Sequence, residues 1–257
     1  MDLSICIVAY YNYDSIKKAV ETLELYTPSD IKKRIYIVDN SISKNICSKF
    51  SNFINQYDDV VYIYLGKNVG FGRANNYIIP KLTSKYHCIM NPDILFSKDV
   101  FTSIISYMDQ NPSVGMVIPN MVDSKGKRLP VYRKELTILD MFIRMFCRSL
   151  FRKRQARHTL QYKDYSKPFQ VPFAQGSFLV IRTNLLRELK GFDENYFMYM
   201  EDADLCKRVN MISSLMYYPN VSVIHKWNKG SHKDIKLFFY HLKSMHYYFK
   251  KWGYKWF

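Results

Sequence analysis

A few short stretches of this sequence carry residue types that could do chemistry. Asn91-Pro92-Asp93 follows an apolar run, and its single carboxylate could hold a hard divalent cation. Such an ion prefers oxygen ligands and needs only one or two from a protein when a diphosphate supplies the others. The same tripeptide also reads as an ordinary turn, because Asn-Pro and Pro-Asp are turn dipeptides. Glu201-Asp202-Ala203-Asp204 opens a helical stretch directly after the aromatic run Tyr196-Phe197-Met198-Tyr199-Met200. Acids in a first helical turn are favoured by the macrodipole and can serve as caps. Paired acids beside aromatic surface are also the setting in which a carboxylate becomes a general base. The loop from Asn68 through Val69, Gly70, Phe71, Gly72 and Arg73 to Asn76 matches no phosphate loop. Its glycines allow close backbone approach, and its Asn and Arg side chains could bind a base, ribose or phosphate. His225 ends an apolar run, with Lys226, Lys229, Ser231 and His232 behind it. A metal or diphosphate role competes there with a purely structural one.

These residues need elements to position them. The first part of the chain alternates strand and helix signals. Ser4 to Ala9, Arg34 to Val38, Val60 to Leu65 and His87 to Met90 read as strands. Ser15 to Leu25 reads as a helix with Ile16, Ala19, Val20 and Leu23 on one face, and a second helix runs through Ala74 to Leu82. Strands alternating with helices predict an α/β fold with a mostly parallel sheet and helices on both faces. Ligands of such sheets bind beyond the carboxyl ends of the strands. The loops at Asp39, Asn68 and Asp93 all follow strands and are expected to meet at one edge. The second part begins near Val114 and is less regular. Thr137 to Phe151 reads as a helix with Ile138, Phe142, Met145 and Phe146 on one side, and Gln155 to Pro168 as a mobile linker. Gly176 to Ile181 and Leu215 to Ile224 read as strands, Glu201 to Ile212 and Lys233 to Trp252 as helices.

Composition narrows the classes. A chain of 257 residues with 48% hydrophobic content can bury a real core, which excludes disorder as the default. The net charge of +16 asks for an anionic partner: nucleic acid, lipid head groups or a phosphorylated substrate. Aromatics at 16%, with 22 Tyr, suit a membrane interface or a nucleic-acid groove. Five cysteines without a CxxC pair read as buried thiols in a reducing compartment. The N-terminus lacks the basic and long apolar regions of a signal peptide, and no apolar stretch is long enough to span a bilayer. A cytoplasmic protein is expected, unless it adheres to a membrane surface. Basic residues recur at Arg144, Arg148, Arg152, Lys153, Arg154 and Arg157. The C-terminal helix has Ile235, Phe238, Phe239, Leu242, Met245 and Phe249 at helical spacing, flanked by lysines and by Trp252, Tyr254 and Trp256. Such a basic amphipathic helix either lies in a membrane surface or packs on the domain or a second subunit.

Taken in order, the markers resemble the family 2 glycosyltransferases with a GT-A fold, from about Ser4 to about His232. They are Ile7-Val8-Ala9-Tyr10, Ile37-Val38-Asp39-Asn40-Ser41, Asn68-Val69-Gly70-Phe71-Gly72, Asn91-Pro92-Asp93, Gly176 to Arg182, Gly191-Phe192-Asp193-Glu194, and Phe197 to Leu205. Each is weak alone; the ordered set is specific. The Gly-Phe-Gly and Asn-Pro-Asp versions look most like rhamnosyltransferases of bacterial O-antigen and cell-wall polysaccharides. The resemblance implies a GT-A domain over residues 1–232, with a nucleotide-sugar half (1–112) and an acceptor half (113–232), followed by a basic aromatic helix (233–257). It implies that Asp39 binds the donor's base or ribose, with Ala9 and Tyr10 lining the pocket and Asn68, Gly72, Asn76 and Asn91 completing it. Asp93 would hold Mg²⁺ or Mn²⁺ against the diphosphate, with His225 as a further ligand. Asp202 would be the catalytic base and Glu201 its positioning neighbour. Two departures stand out: Asn91 replaces the first Asp of the family's metal motif, and Tyr11 stands where the family often has Asn. The implied donor is dTDP-rhamnose and the implied acceptor a polyprenyl-diphosphate-linked saccharide at an anionic membrane, with no nucleic acid involved.

Two other classes compete. A nucleotidyltransferase normally carries a Gly-rich basic loop after its first strand, and Ala9 to Asp14 contains no glycine. A nucleic-acid-binding module fits the charge but not the acids at Asp39, Asp93, Glu201 and Asp202.

Overall fold

The computed structural model describes residues 1–43, 48–147, 149–226 and 235–257. Strand β1 (Leu3–Ala9) leads into helix α1 (Tyr13–Tyr26), then β2 (Lys33–Asp39), α2 (Ser48–Ile54) and β3 (Val60–Tyr64). Helix α3 (Phe71–Asn76) and a 3-10 turn (Ile79–Lys81) precede β4 (Tyr86–Met90), β5 (Ile94–Leu95), α4 (Phe101–Gln110) and β6 (Val114–Val122). Next come β7 (Tyr132–Arg133), α5 (Ile138–Phe146), α6 (Arg152–His158), β8 (Phe169–Gln170), β9 (Phe173–Ala174), β10 (Phe178–Arg182) and α7 (Thr183–Glu188). Helix α8 (Glu201–Ile212), β11 (Ser214–His225) and α9 (Ile235–Trp252) complete the order.

One sheet organises the molecule, in the order β3-β2-β1-β4-β10-β6-β11-β5, with β8 also pairing β11. Strands β3, β2, β1 and β4 are parallel. Strand β10 then enters antiparallel between β4 and β6, and β11 returns parallel to β6. The sheet therefore runs unbroken from the first half of the sequence into the second. Its central strands are buried on both faces: Ile5, Ile7, Ile35 and Ile37 on one side, Cys6, Tyr36 and Val38 on the other. Each such Ile or Val contributes about 1.5–3 kcal/mol. Helix α1 buries Ile16, Ala19, Val20 and Leu23, the face its spacing dictates.

Several expectations need correction. The helix expected through Leu82 stops at Asn76 and resumes only as a 3-10 turn holding Pro80, whose ring cannot continue an α-helix. The helix expected to Phe151 ends at Phe146, and a separate α6 follows. The apolar side expected for it points outward. Met141 and Ile143 are buried, while Phe142 and Phe146 are 52% and 59% exposed. The inward face instead carries Asp140, which binds Arg154 and the Thr137 hydroxyl. The stretch Gln155 to Pro168 is structured: it finishes α6, buries Leu160 and packs Tyr165 against Tyr132 and Tyr217. Helix α9 is split along its length. Ile235, Phe238, Phe239 and Leu242 are exposed, whereas Ser244, Tyr248 and Phe249 are buried. Arg148, Lys229, Ser231, His232 and Lys233 lie outside the described residues.

Candidate functional site

The polar loops do meet at one sheet edge. Ala9 pairs with Asp39 across β1 and β2, and Ile7 with Met90 across β1 and β4, so Tyr10, Asn40 and Asn91 leave the sheet side by side. Asp39 is fully buried. Its carboxylate accepts hydrogen bonds from Tyr13 (2.8 Å), Tyr62 (2.5 Å) and the Ser41 backbone N–H (2.8 Å). Burial, and then the bond to Asp39, push the Tyr62 phenol well above its ordinary range. Both tyrosines thus bind Oδ2, and Oδ1 holds the Ser41 N–H. Ala9 is buried, and Tyr10 keeps an exposed ring beside Tyr11 at 4.9 Å. Tyr11 sits in the left-handed region (φ 57°), and its hydroxyl accepts from the Ile42 and Ser43 N–H groups.

The glycine loop packs against the segment that leads into the paired acids. Asn68 accepts from the Gly70 N–H, and Asn40 donates to the Gly70 carbonyl. Gly70 has φ 88°, and a Cβ there would lie 2.2 Å from the Phe197 carbonyl oxygen. Gly72 is buried against Phe192. Asn76 does not offer a free amide: it donates to the Phe192 carbonyl (2.8 Å) and accepts from the Phe192 N–H (2.8 Å). Both ends of the Asn76 amide thus lock this loop to the Phe192 segment.

Asp93 and His225 come together. Strand β5 pairs antiparallel with the end of β11, Ile94 opposite His225, and Lys226 N–H donates to the Asp93 carbonyl. Asp93 Oδ1 and His225 Nε2 lie 3.3 Å apart. Two adjacent ligands on an octahedral ion, each at about 2.1 Å, stand roughly 3 Å from one another. The pair thus fits a divalent cation whose remaining ligands come from substrate. Among the described residues no group of three His, Cys, Asp or Glu side chains could hold a metal by itself. Asn91 touches the next part of the site through its backbone, donating to the Ser177 carbonyl at 2.8 Å.

Ser177 is the neighbour of Gly176, and Gly176 N–H donates to Asp202 Oδ2 at 3.0 Å. A Cβ on Gly176 would meet Asp202 Cβ at 2.9 Å, so glycine is needed for this approach. Asp202 Oδ1 accepts from the Ala203 N–H. Helix α8 starts immediately after two non-glycine residues in the left-handed region, Tyr199 (φ 67°) and Met200 (φ 68°). Glu201 is buried, and its Oε2 has no hydrogen-bond partner among the described residues. Burial, and then the charge of Asp202, push the Glu201 carboxyl up to about 8. Asp202 is raised as well, first by burial, against which the Gly176 and Ala203 N–H groups and the charges of Arg133 and Arg144 hold it down. Burial raises both carboxyls, and the Gly176 and Ala203 N–H groups favour the charged form of Asp202. Asp204 turns away from this chemistry. It is fully buried, paired with Arg208 and Lys251 at 2.7 Å each, and accepts from the Trp252 indole.

Sequence reading did not single out Tyr13, Tyr62 or Arg133. Their roles arise from contacts between distant segments and leave no local pattern.

The model of Glycosyl transferase family 2 matches residues 4–190. Rhamnosyltransferase WbbL of Escherichia coli (strain K12) is 28% identical over 257 residues, covering 93% of this chain and 89% of that protein. The N-acetylglucosaminyl-diphospho-decaprenol L-rhamnosyltransferase of Mycobacterium tuberculosis (strain ATCC 25618 / H37Rv) is 25% identical over 195 residues. That match covers 70% of this chain but only 63% of the relative, less than two-thirds of its length. Among solved structures, GalNAc-T7 with UDP, GalNAc and Mn²⁺ superposes with a TM-score of 0.68 at 14% identity, over 89% of this chain and 44% of that one. The mannosyltransferase PcManGT from Pyrobaculum calidifontis, in complex with GDP-Man and Mn²⁺, gives 0.62 at 16%, over 90% and 58%. These structural likenesses establish the GT-A fold. The family match covers most of the chain and removes the nucleotidyltransferase reading: the chain belongs to glycosyl transferase family 2, and it is a glycosyltransferase.

Proposed function

We propose that this enzyme moves L-rhamnose from dTDP-rhamnose onto a saccharide carried by a polyprenyl diphosphate, in the synthesis of a bacterial surface polysaccharide such as O-antigen. The observation that carries the reading is the Asp202 carboxylate, held by Gly176 N–H next to the residue that grips the Asp93 loop. The names of the Escherichia coli and Mycobacterium tuberculosis relatives support rhamnose as the sugar, and the latter supports a lipid-diphosphate acceptor.

The donor would enter beyond the carboxyl ends of β1, β2 and β4, with its base beside Ala9 and the exposed Tyr10 ring. Asp202 takes the proton of the acceptor hydroxyl as that oxygen bonds to the anomeric carbon and the bond to the diphosphate breaks. Attack from the face opposite the leaving group inverts the centre, so one base suffices. A positioned carboxylate contributes on the order of 10²–10⁴ in rate. Glu201, kept protonated by burial, leaves Asp202 as the basic member of the pair. Asp93 and His225 would hold Mg²⁺ or Mn²⁺, which when bound neutralises charge on the departing diphosphate.

A peripheral place on the cytoplasmic face of a membrane follows from the same reading. No helix of the described residues is long and apolar enough to cross a membrane. The exposed Phe142, Phe146, Phe238 and Phe239 nevertheless gather where α5 meets α9, with Phe146 and Phe238 rings 6.4 Å apart. Each Lys or Arg held near an anionic leaflet contributes about 1 kcal/mol of attraction.

The test is donor turnover with Mg²⁺ or Mn²⁺, offering dTDP-rhamnose, UDP-hexoses and GDP-mannose with a lipid-diphosphate N-acetylglucosamine acceptor. Transfer from dTDP-rhamnose, lost in Asp202→Asn with donor binding intact, is expected. Transfer only from a UDP-hexose would replace the rhamnosyl reading with a hexosyl one.

A further inference from the structure

Helix α6 presents two different faces. Arg154 and His158, four residues apart, turn toward Asp140, at 2.7 Å and 3.5 Å from its carboxylate. Lys153 and Arg157, also four residues apart, flank Ala156 on another face. That face is one wall of a groove of about 650 Å³, lined by Lys134, Lys153, Ala156, Arg157, Gln161 and Tyr162. Such a volume suits a small ligand. The backbone sets the groove's shape. Lys134 N–H donates to the His158 carbonyl at 2.8 Å, which ties the segment after β7 to the last turn of α6. Leu160, buried and in the left-handed region (φ 55°), reverses the chain there, and Gln161 N–H donates back to the Ala156 carbonyl at 3.0 Å. Tyr162 thereby returns to Lys134, whose Nζ lies 5.6 Å from its ring centroid.

The lining holds three cations and no acid. The carboxylates close by in sequence are engaged elsewhere. Asp140 is taken by Arg154 and the Thr137 hydroxyl, Glu135 pairs with Lys207 and Lys255, and Asp164 accepts from Ser166. No ion pair among the described residues uses Lys134, Lys153 or Arg157. Just before this face the chain bares apolar side chains. Phe146, Leu150 and Phe151 are all exposed, Leu150 at 78%, and Phe151 stands two residues before Lys153. Phe146 also belongs to the aromatic surface shared with Phe238.

We propose that this groove takes the phosphate head group of an anionic phospholipid, with Leu150 and Phe151 entering the acyl layer beside it. The proposal rests on the membrane attachment argued above and gives it a specific contact. Three cations gathered without a carboxylate repel one another, and a bound phosphate relieves that repulsion. Arg157 can offer paired N–H donors to two phosphate oxygens, and Lys134 and Lys153 add point charges. The apolar side chains decide where the phosphate comes from. A soluble phosphate gains nothing from Leu150 and Phe151, whereas a lipid in a leaflet buries them as its head group docks. The groove shares no lining residue with the donor pocket, the Asp93–His225 pair or the paired acids.

Two measurements test the site on the full chain. The first is sedimentation with vesicles of phosphatidylcholine alone and of phosphatidylcholine mixed with phosphatidylglycerol. The wild type should bind the mixed vesicles far more tightly. Lys153→Gln combined with Arg157→Gln should weaken that binding by about twenty-five-fold, at about five-fold for each cation removed. Removing the same charge elsewhere, with Lys18→Gln and Lys125→Gln at two exposed positions, should weaken it much less. The second is calorimetric binding of dihexanoyl phosphatidylglycerol, dispersed below its micelle concentration, with inorganic phosphate alongside. The lipid should bind more tightly, and Leu150→Ser should remove most of the difference. Equal weakening of vesicle binding by the two double variants would mean diffuse charge alone and overturn the site. So would equal affinity of the wild type for the dispersed lipid and inorganic phosphate. Vesicle binding lost in Phe238→Ser with Phe239→Ser, yet untouched in Lys153→Gln with Arg157→Gln, would overturn the groove and leave membrane attachment standing. Groove-dependent binding of the dispersed lipid by a protein that ignores vesicles would leave the site standing and sink the attachment.

Discussion

Glu201→Gln should make the protein more stable, and increasingly so as pH rises. The substitution is nearly isosteric with the protonated carboxyl that burial enforces. In the unfolded chain this group titrates near its ordinary 4.5, whereas in the native state it is pushed to about 8. Between those values the native state binds a proton that the unfolded state has released. Stability of the wild type must therefore fall as pH rises across that window. At about 1.4 kcal/mol per pH unit the whole window caps the loss at about 5 kcal/mol. Part of it belongs to Asp202, whose charge is the second cause of the rise. A gain of about 2–4 kcal/mol at pH 8 for Glu201→Gln is expected, shrinking toward zero near pH 4.5. Urea unfolding of both proteins at several pH values, read as midpoint shifts at constant slope, measures it. Making the neighbour neutral with Asp202→Asn should narrow the window by lowering the Glu201 pKa. A stability difference that stays flat from pH 4.5 to 8 would refute the assignment of the proton to Glu201.

Gly176→Ala places a methyl group 2.9 Å from Asp202 Cβ and should displace the Asp202 carboxylate from its N–H donor. The expected result is a fall in kcat of roughly 10²-fold with donor affinity little changed, measured by steady-state kinetics and nucleotide calorimetry. Replacing both Phe238 and Phe239 by Ser should weaken sedimentation with anionic vesicles while leaving the unfolding midpoint nearly unchanged, because both rings are exposed. A matching loss of stability would show instead that these rings pack in the fold.

Much of the fold was legible because its period is strong. Helix α8 begins and ends at the residues its pattern indicates, and α1 buries the four residues its spacing selects. Strands β1 and β2 announce themselves as buried β-branched runs before polar loops. Where reading failed, tertiary partners decided. Helical spacing identifies an apolar stripe on α5 but not whether that stripe faces the core. The Arg154 side chain and the Thr137 cap make Asp140 tolerable inside, so the phenylalanines turn outward. Asp39 looked like an available ligand until Tyr13 and Tyr62, 26 residues before it and 23 after it, closed over it. The polar loops meet at one edge as expected, since loops after parallel strands gather at their carboxyl ends. The order of motifs could not say that Asn76 is occupied by Phe192, or that Asp204 anchors the C-terminal helix rather than the substrate.

That anchoring changes what the C-terminal helix can mean. Tyr199 and Met200 are held in the left-handed region just before Glu201 and Asp202, a strain of about 1–3 kcal/mol for each residue that surrounding contacts must sustain. Helix α9 supplies many of those contacts. Ser244 donates to the Met198 carbonyl, Tyr240 packs on Phe197, His241 on Tyr199, and Tyr247 and Lys251 hold Asp193. The Trp252 indole closes the clamp on buried Asp204, two residues beyond Asp202. A chain cut before Ile235 would lose this brace, so its failure to transfer sugar would follow from a relaxed 197–202 segment whether or not a membrane is involved. The two roles separate by face. Substitutions at exposed Phe238 and Phe239 probe attachment, whereas Ser244→Ala removes only the donor to the Met198 carbonyl. If α9 braces the site, the second change lowers kcat on a water-soluble acceptor, where no membrane can enter the explanation.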